Sequence, residues 1–301
     1  MIKILITGPN GFIGKNLVDE FISCSTFEIA ILLRPHNHFT LDPKIKVIKG
    51  DLNNINSLKD QILTFDPDIC IHLSWEGLPD YNSYYSQLNL NNSIDLIRFL
   101  SLNTNIKKLI VSGSCFEYGK TQGMRSETDE TTNSTYFSWA KNSLYEYSKF
   151  VCQKKRIDLI WTRIFFVYGP GQRSDALIPT IISSLNKKQF PAIKKPSNKL
   201  DFIYVSDVVD MYKIACKKKI KSGIYNLGSG QTESIINVYN LILKKLNLTG
   251  NVDLALNNIN SISENYCANM DKTRENFNWM PKFTMEDGIE ALTQKAILKQ
   301  Y

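Results

Sequence analysis

Residues 3–14 read KILITGPNGFIG. The short apolar run Lys3–Thr7 enters three glycines, and a helical pattern follows from Gly14 to Ser23. Strand, tight turn and helix in this order build a phosphate cradle. Glycines let the backbone approach a pyrophosphate, and the helix start offers unpaired N–H groups and the positive end of its dipole. Gly8, Gly11, Phe12, Ile13 and Gly14 are therefore candidate dinucleotide-binding residues. Their spacing is G-x-x-G-x-x-G rather than G-x-G-x-x-G.

Outward from this turn the chain keeps alternating. Strands are expected at Lys3–Thr7, Glu28–Leu33, Lys46–Lys49, Ile69–Leu73, Lys108–Ser112 and Asp158–Arg163, with helical patterns at Leu58–Thr64, Tyr84–Leu102 and Trp139–Gln153. Short apolar strands between helices imply a parallel sheet covered on both faces. The expected fold is α/β: a Rossmann-type doubly wound sheet over residues 1–165 and a smaller α/β substrate-binding domain over 166–301, with about 200–227 returning to the first. Past Arg163 the turn Tyr168-Gly169-Pro170-Gly171 and a Lys/Pro/Ser/Asn-rich loop, Lys187–Lys199, change the rhythm. A strand Asp201–Val205, a helix to about Lys219, a strand Ile224–Leu227, a helix Ser234–Leu246 and a polar stretch Asn251–Asn265 complete the reading.

The chain has 301 residues, 43% hydrophobic and 22% charged, which excludes a disordered or fibrous protein. No apolar run approaches the roughly 20 residues of a membrane span, and the start lacks the three-part layout of a signal peptide. Six scattered cysteines without C-x-x-C spacing fit a reducing cytoplasm, and three histidines without a Cys cluster argue against a metal site. The net charge of +7 gathers in runs such as Lys217–Lys219. No binding motif accompanies them, so they read as solvated helix faces, with no nucleic-acid partner expected.

The end of the second strand carries Leu33-Arg34-Pro35 and no carboxylate. An acidic residue there would bind the ribose 2′-hydroxyl; Arg34 instead suits a 2′-phosphate. NADP(H) is therefore favoured, with NAD(H) the alternative. Asp51, before Leu52, is placed to meet the adenine, to cap a helix, or both.

Together these segments resemble the extended short-chain dehydrogenase/reductase family, the NAD(P)-dependent sugar-nucleotide epimerases, dehydratases and reductases. The resemblance rests on the glycine turn, Asp51-Leu52, Ile71-His72-Leu73-Ser74, Asn89, Ser112–Gly119, Arg163–Gly171, Asp201–Val205 with Asp207, Tyr225–Gly230, and Asp271 through Trp279-Met280-Pro281. It implies Leu73, Ser74, Asn89, Ser112 and Phe165 at the cofactor. It also implies a catalytic Ser or Thr with a Tyr and a Lys spaced Y-x-x-x-K. Ser114 and Lys141 match, but Phe137 stands where the tyrosine belongs. Tyr136 is one residue early, a rotation of about 100° on a helix. Three readings stay open: Tyr136 serves, another acid serves or the reaction has been lost, or Phe137 replaces a tyrosine so that substrate is trapped in an impaired form.

Family 4,6-dehydratases carry Asp-Glu where this chain has Cys115-Phe116, so dehydration is not expected. Trp75, Glu117, Phe166, Arg173 and Lys199 are the candidate substrate-binding residues. The implied function is NADPH-dependent reduction of an NDP-4-keto-6-deoxyhexose at C4, serving surface-polysaccharide synthesis. Alternatives are an NAD-dependent C4 epimerase and a silent dinucleotide- or sugar-nucleotide-binding protein. A homodimer built through the helices near Ser93–Leu102 and Trp139–Gln153 is the expected assembly.

Overall fold

The computed structural model describes residues 1–37, 42–119, 122–248 and 264–298. In chain order the first elements are β1 (Ile2–Thr7), α1 (Phe12–Ile22), β2 (Phe27–Leu33), β3 (Ile45–Lys49), α2 (Lys59–Phe65), β4 (Ile69–His72), α3 (Ser83–Asn103) and β5 (Lys108–Ser112). Next come β6 (Gly123–Arg125), α4 (Tyr136–Lys155), β7 (Asp158–Ile164), β8 (Phe166–Tyr168), α5 (Leu177–Asn186), β9 (Lys199–Leu200), β10 (Phe202–Tyr204) and α6 (Val205–Lys217). The chain ends through β11 (Gly223–Leu227), β12 (Glu233–Ser234), α7 (Ile235–Lys245), β13 (Asn265–Ala268), α8 (Asp271–Phe277) and α9 (Met285–Leu298).

Seven strands form one sheet in the order β3-β2-β1-β4-β5-β7-β11, every pairing parallel. Successive strand side chains point to opposite faces. In β1, Ile4 and Ile6 therefore enter one core with α1 and α6, while Leu5 enters the other with α2, α3 and α4. The order reverses between β1 and β4. Ligands of open parallel sheets bind in the crevice at such a switch point, beyond the carboxyl ends of the strands.

The second half completes the first. β11 forms the last strand of the large sheet, while β12, β9, β13 and β6 make a small one. Asp201 staples these parts: its buried carboxylate accepts N–H bonds from Ser229 (2.6 Å), Gly230 (3.0 Å) and Ala268 (3.0 Å). The strand expected over Asp201–Val205 is shortened to β10, because Asp201 turns inward between β9 and β10 and Val205 already starts α6. Helix α5 and the elements after residue 264 carried no expectation, whereas 251–263 of the polar stretch and His38 lie outside the described residues. All six cysteines are free. No helix among the described residues is long and apolar enough to cross a membrane.

Candidate active site

The turn after β1 is built for close backbone approach. Gly8 has φ +71°, and a Cβ on Gly14 would sit 2.0 Å from the Gly8 carbonyl oxygen. Gly11 starts α1 with no side-chain cap, so the first N–H groups of the helix stay open toward the crevice. This cradle fits a pyrophosphate, which would be held by backbone N–H groups.

Two cavities flank the turn. The first, about 350 Å³, is lined by Gly8–Gly11, Leu32–Arg34, Asn37, Asp51, Leu52, Leu73–Gly77, Asn89, Asn92 and Ser93. Its polar rim differs from the expectation of a lone arginine. The Arg34 guanidinium donates to both Glu76 carboxylate oxygens (3.3 and 2.5 Å) and lies 3.2 Å from Asp51. These carboxylates hold the guanidinium in its charged form, the bond to Glu76 contributing most. Asp51 both caps the 3₁₀ turn Leu52–Leu58, accepting from the Asn53 N–H at 3.0 Å, and lines the cavity. Asn89, expected at the cofactor, spends both ends of its amide on the chain. Its oxygen accepts from the Glu76 N–H (2.7 Å) and its nitrogen donates to the Glu76 and Tyr85 carbonyls. It thus fixes the loop that presents Trp75 and Glu76.

The second cavity, about 330 Å³, opens on the other side of the turn. Ser112, Ser114, Phe137, Lys141 and Phe165 line it together with Gly11 and Ile13. Ser114 caps a 3₁₀ turn, Cys115–Tyr118, and its oxygen accepts the Phe116 N–H at 3.2 Å. Its O–H, which also reaches the Cys115 thiol, can rotate to donate to a substrate oxygen. Lys141, on α4, donates to the Ser112 carbonyl (2.7 Å) and stands 3.8 Å over the Trp75 ring. Burial lowers its pKa to about 7, against a smaller opposing pull from Glu117.

Phe137 lies on the same helix face, 5% exposed, with its ring 5.8 Å from the Lys141 ammonium. Tyr136 is 59% exposed and lines a neighbouring surface cavity with Trp139, residues 133–135 and Tyr81, which borders both cavities. The helical rotation thus turns it out of the cleft. The phenol that does line the cleft, Tyr81, was not among the sequence candidates. It comes from the loop after β4 and packs its ring 5.0 Å from that of Phe137.

Two substrate candidates, Glu117 and Lys199, lie outside the two cavities. Glu117 does not face the cleft. It is fully buried, pairs with Arg163 at 2.9 Å and accepts two bonds from the Trp161 indole. It also closes the capping box by accepting the Ser114 N–H. A buried guanidinium needs such a partner, and Glu117 is committed to it. Lys199 is exposed on β9, among the residues of neither cavity. Arg173 is tied to Asp175 at 3.0 Å but lies close enough for its charge to act on Tyr81. Phe166 reaches the wall indirectly, its ring 6.2 Å from that of Phe116.

His72, read as part of a motif, is buried between Thr7 (2.8 Å) and Ser93 (2.9 Å). Burial lowers its pKa to about 3, so it stays neutral in the core.

The NAD dependent epimerase/dehydratase family model matches residues 4–228, from β1 to the turn after β11. The chain belongs to this family. Its relatives include a dTDP-4-dehydro-6-deoxyglucose reductase from Escherichia coli, 25% identical over 312 residues and covering 96% of each chain. A putative UDP-glucose 4-epimerase from Methanocaldococcus jannaschii is 25% identical over 299 residues, 95% of this chain and 96% of that one. The fold is that of the UDP-glucose 4-epimerase of Thermotoga maritima, solved with UDP-glucose: TM-score 0.88, 18% identity, all of both chains covered. These two relatives are named as a sugar-nucleotide reductase and a sugar-nucleotide epimerase, another is a sterol-4-alpha-carboxylate 3-dehydrogenase from Candida albicans, and family membership supports a pyridine dinucleotide in the crevice.

Proposed function

We propose that this family member moves hydride at C4 of the hexose of a nucleoside diphosphate sugar. The observation that carries this reading is the shared cleft: Ser114, Lys141 and Phe137 line one cavity with Gly11 and Ile13 of the phosphate-binding turn. A bound nicotinamide dinucleotide supplies the hydride. The chain supplies position and charge. Gly8, Gly11 and Gly14 admit the pyrophosphate; Asp51 and Leu52 border the adenosine end; Lys141 offers its ammonium to the ribose; Ser114 donates to the sugar C4 oxygen. Residues 166–301 are proposed to supply much of the substrate side.

The first reading is net reduction of an NDP-4-keto-6-deoxyhexose with NADPH, as in the making of surface-polysaccharide sugars. Cys115-Phe116 supports it over dehydration, because neither side chain is a carboxylate able to move protons at C5 and C6. The second reading, an NAD-dependent C4 epimerase, is favoured by the pairing of Arg34. With Asp51 and Glu76 beside it, the ribose end carries two negative charges against one positive. A 2′-hydroxyl fits this set, whereas a 2′-phosphate must draw Arg34 away from two carboxylates.

Calorimetry with NADPH and NADH, then turnover of an NDP-4-keto sugar and of its 4-hydroxy parent, separates the readings. Tight NADPH with net oxidation supports the reductase. Tight NAD(H) with C4 inversion supports the epimerase. Binding without any turnover supports a silent binding protein.

We also propose a homodimer through α3 and α4. They pack side by side against the large sheet, and Phe150 stands 71% exposed on α4.

A further inference from the structure

A cleft that reduces a carbonyl must supply a proton as well as a hydride. Phe137 offers none. Among the residues lining the cleft, the side chains with a proton on oxygen or nitrogen that acid–base chemistry can use are Ser112, Ser114, Lys141 and Tyr81, with the Trp75 indole as a bystander. No carboxylate, imidazole or thiol lines it. Serine hydroxyls are poor acids near neutral pH and serve as hydrogen-bond donors. Lys141 is already held to the Ser112 carbonyl and the Trp75 face.

Tyr81 differs from all of these. Its ring contacts Phe137 at 5.0 Å and Phe116 at 5.9 Å, and these two rings lie 6.4 Å apart. The three aromatics thus form one cluster at the wall of the cleft, and Tyr81 is its one phenol. The Tyr81 hydroxyl makes no hydrogen bond with the described residues, while the ring is 39% exposed. Its neighbours are braced. The Asp80 N–H donates to the Gly77 carbonyl (2.7 Å). Asn82 donates twice to the Asp80 carboxylate and accepts the Tyr85 N–H to cap α3. Burial raises the pKa of the phenol above its ordinary value; the positive charge of Arg173 opposes part of that rise, and Cys115 adds a little to it.

Resting on the proposed C4 chemistry, we propose that Tyr81 is the catalytic proton donor of this cleft, supplied by the loop after β4 in place of a phenol on α4. In the reductive direction the C4 carbonyl carbon gains the hydride, and the carbonyl π pair moves to oxygen. That oxygen takes the proton of Tyr81, and the resulting phenolate regains a proton from solvent at its exposed edge. The reverse direction uses the phenolate as base.

The test begins with binding. UDP-, dTDP-, GDP- and CDP-glucose are titrated calorimetrically into the full chain filled with ADP-ribose, which is redox-silent. The best binder is compared with its 4-deoxy analogue in the wild type and in Tyr81→Phe. The expected result is a loss of about tenfold for the 4-hydroxy sugar, the size of one hydrogen bond, and no change for the 4-deoxy sugar. Equal affinities in wild type and variant overturn the proposal.

Kinetics supply the second arm. The wild type should turn over, Tyr81→Phe should lose about 10²–10⁴-fold in kcat, and Phe137→Tyr placed in that background should restore it. Turnover by Phe137→Tyr alone, with the wild type inactive, overturns the Tyr81 assignment while leaving the nucleotide-sugar reading intact. Failure of all four sugars to bind the wild type overturns that reading, and the Tyr81 assignment with it.

Discussion

Lys141 is a residue whose charge is costly to keep. Fully folded, its pKa falls to about 7 through burial; in an unfolded chain a lysine titrates near about 10.4. Between these values the unfolded chain binds a proton that the folded chain does not, so stability contributed by this group rises with pH across the window. It is lost as pH falls through about 7, where the folded protein must carry a buried cation. Lys141→Met is therefore expected to raise Tm at neutral pH and to abolish turnover. The Tm advantage over the wild type should shrink as pH climbs; a lower Tm at neutral pH would contradict this account. At the ribose end, Glu76→Gln frees Arg34 from its bidentate partner and removes one negative charge. Affinity for NADPH should rise relative to NADH, read by paired titrations. An unchanged ratio would mean that Arg34 and Glu76 do not meet the 2′ position.

Two short elements carry the site's geometry. In the β1–α1 turn, a methyl group on Gly14 meets the Gly8 carbonyl oxygen at 2.0 Å, so the turn must open. Gly14→Ala is expected to weaken dinucleotide binding roughly tenfold or more, as overpacking of a fixed backbone does. In the 3₁₀ turn Cys115–Tyr118, the buried Glu117–Arg163 pair anchors the segment that Ser114 caps. Glu117→Ala strands the guanidinium and should cost about 3–5 kcal/mol, visible in denaturant unfolding. Replacing both partners with methionine should recover much of that loss, since the desolvation cost goes with the pair. A double variant as unstable as the single one would show that Glu117 acts mainly through the Ser114 and Trp161 bonds. The glycine turn was legible in the sequence because strand, turn and helix are local. The fate of Glu117 was not, because its partners Trp161 and Arg163 come from a distant strand.

At the scale of the whole chain, the alternation of strands and helices made the parallel sheet readable. The glycine turn, Ser114 and Lys141 followed from motifs within one segment each. What escaped were meetings across segments. Arg34 read as an unpaired cation because Glu76 lies on another loop, and Tyr81 went unseen because no spacing rule ties it to Phe137. Helix α5 carried no expectation although Ile178, Ile181, Ile182 and Leu185 recur at helical spacing, because Pro179 reads as a break unless it is recognised as lying in a helix's first turn; α8 is short and mostly polar and gives little periodicity. If α3 and α4 form the dimer face, Phe150→Glu should shift sedimentation from dimer to monomer; an unshifted dimer would place the interface elsewhere. The central claim concerns hydride at C4 and is tested most directly with label. Reduced dinucleotide carrying deuterium at both nicotinamide C4 positions, as NADPH and as NADH, is incubated with the chain and NDP-4-keto-6-deoxyglucose carrying each of the four nucleotides. The product should hold one deuterium at sugar C4 with at least one pairing. A product without deuterium at C4, or no product from any pairing, would contradict the account.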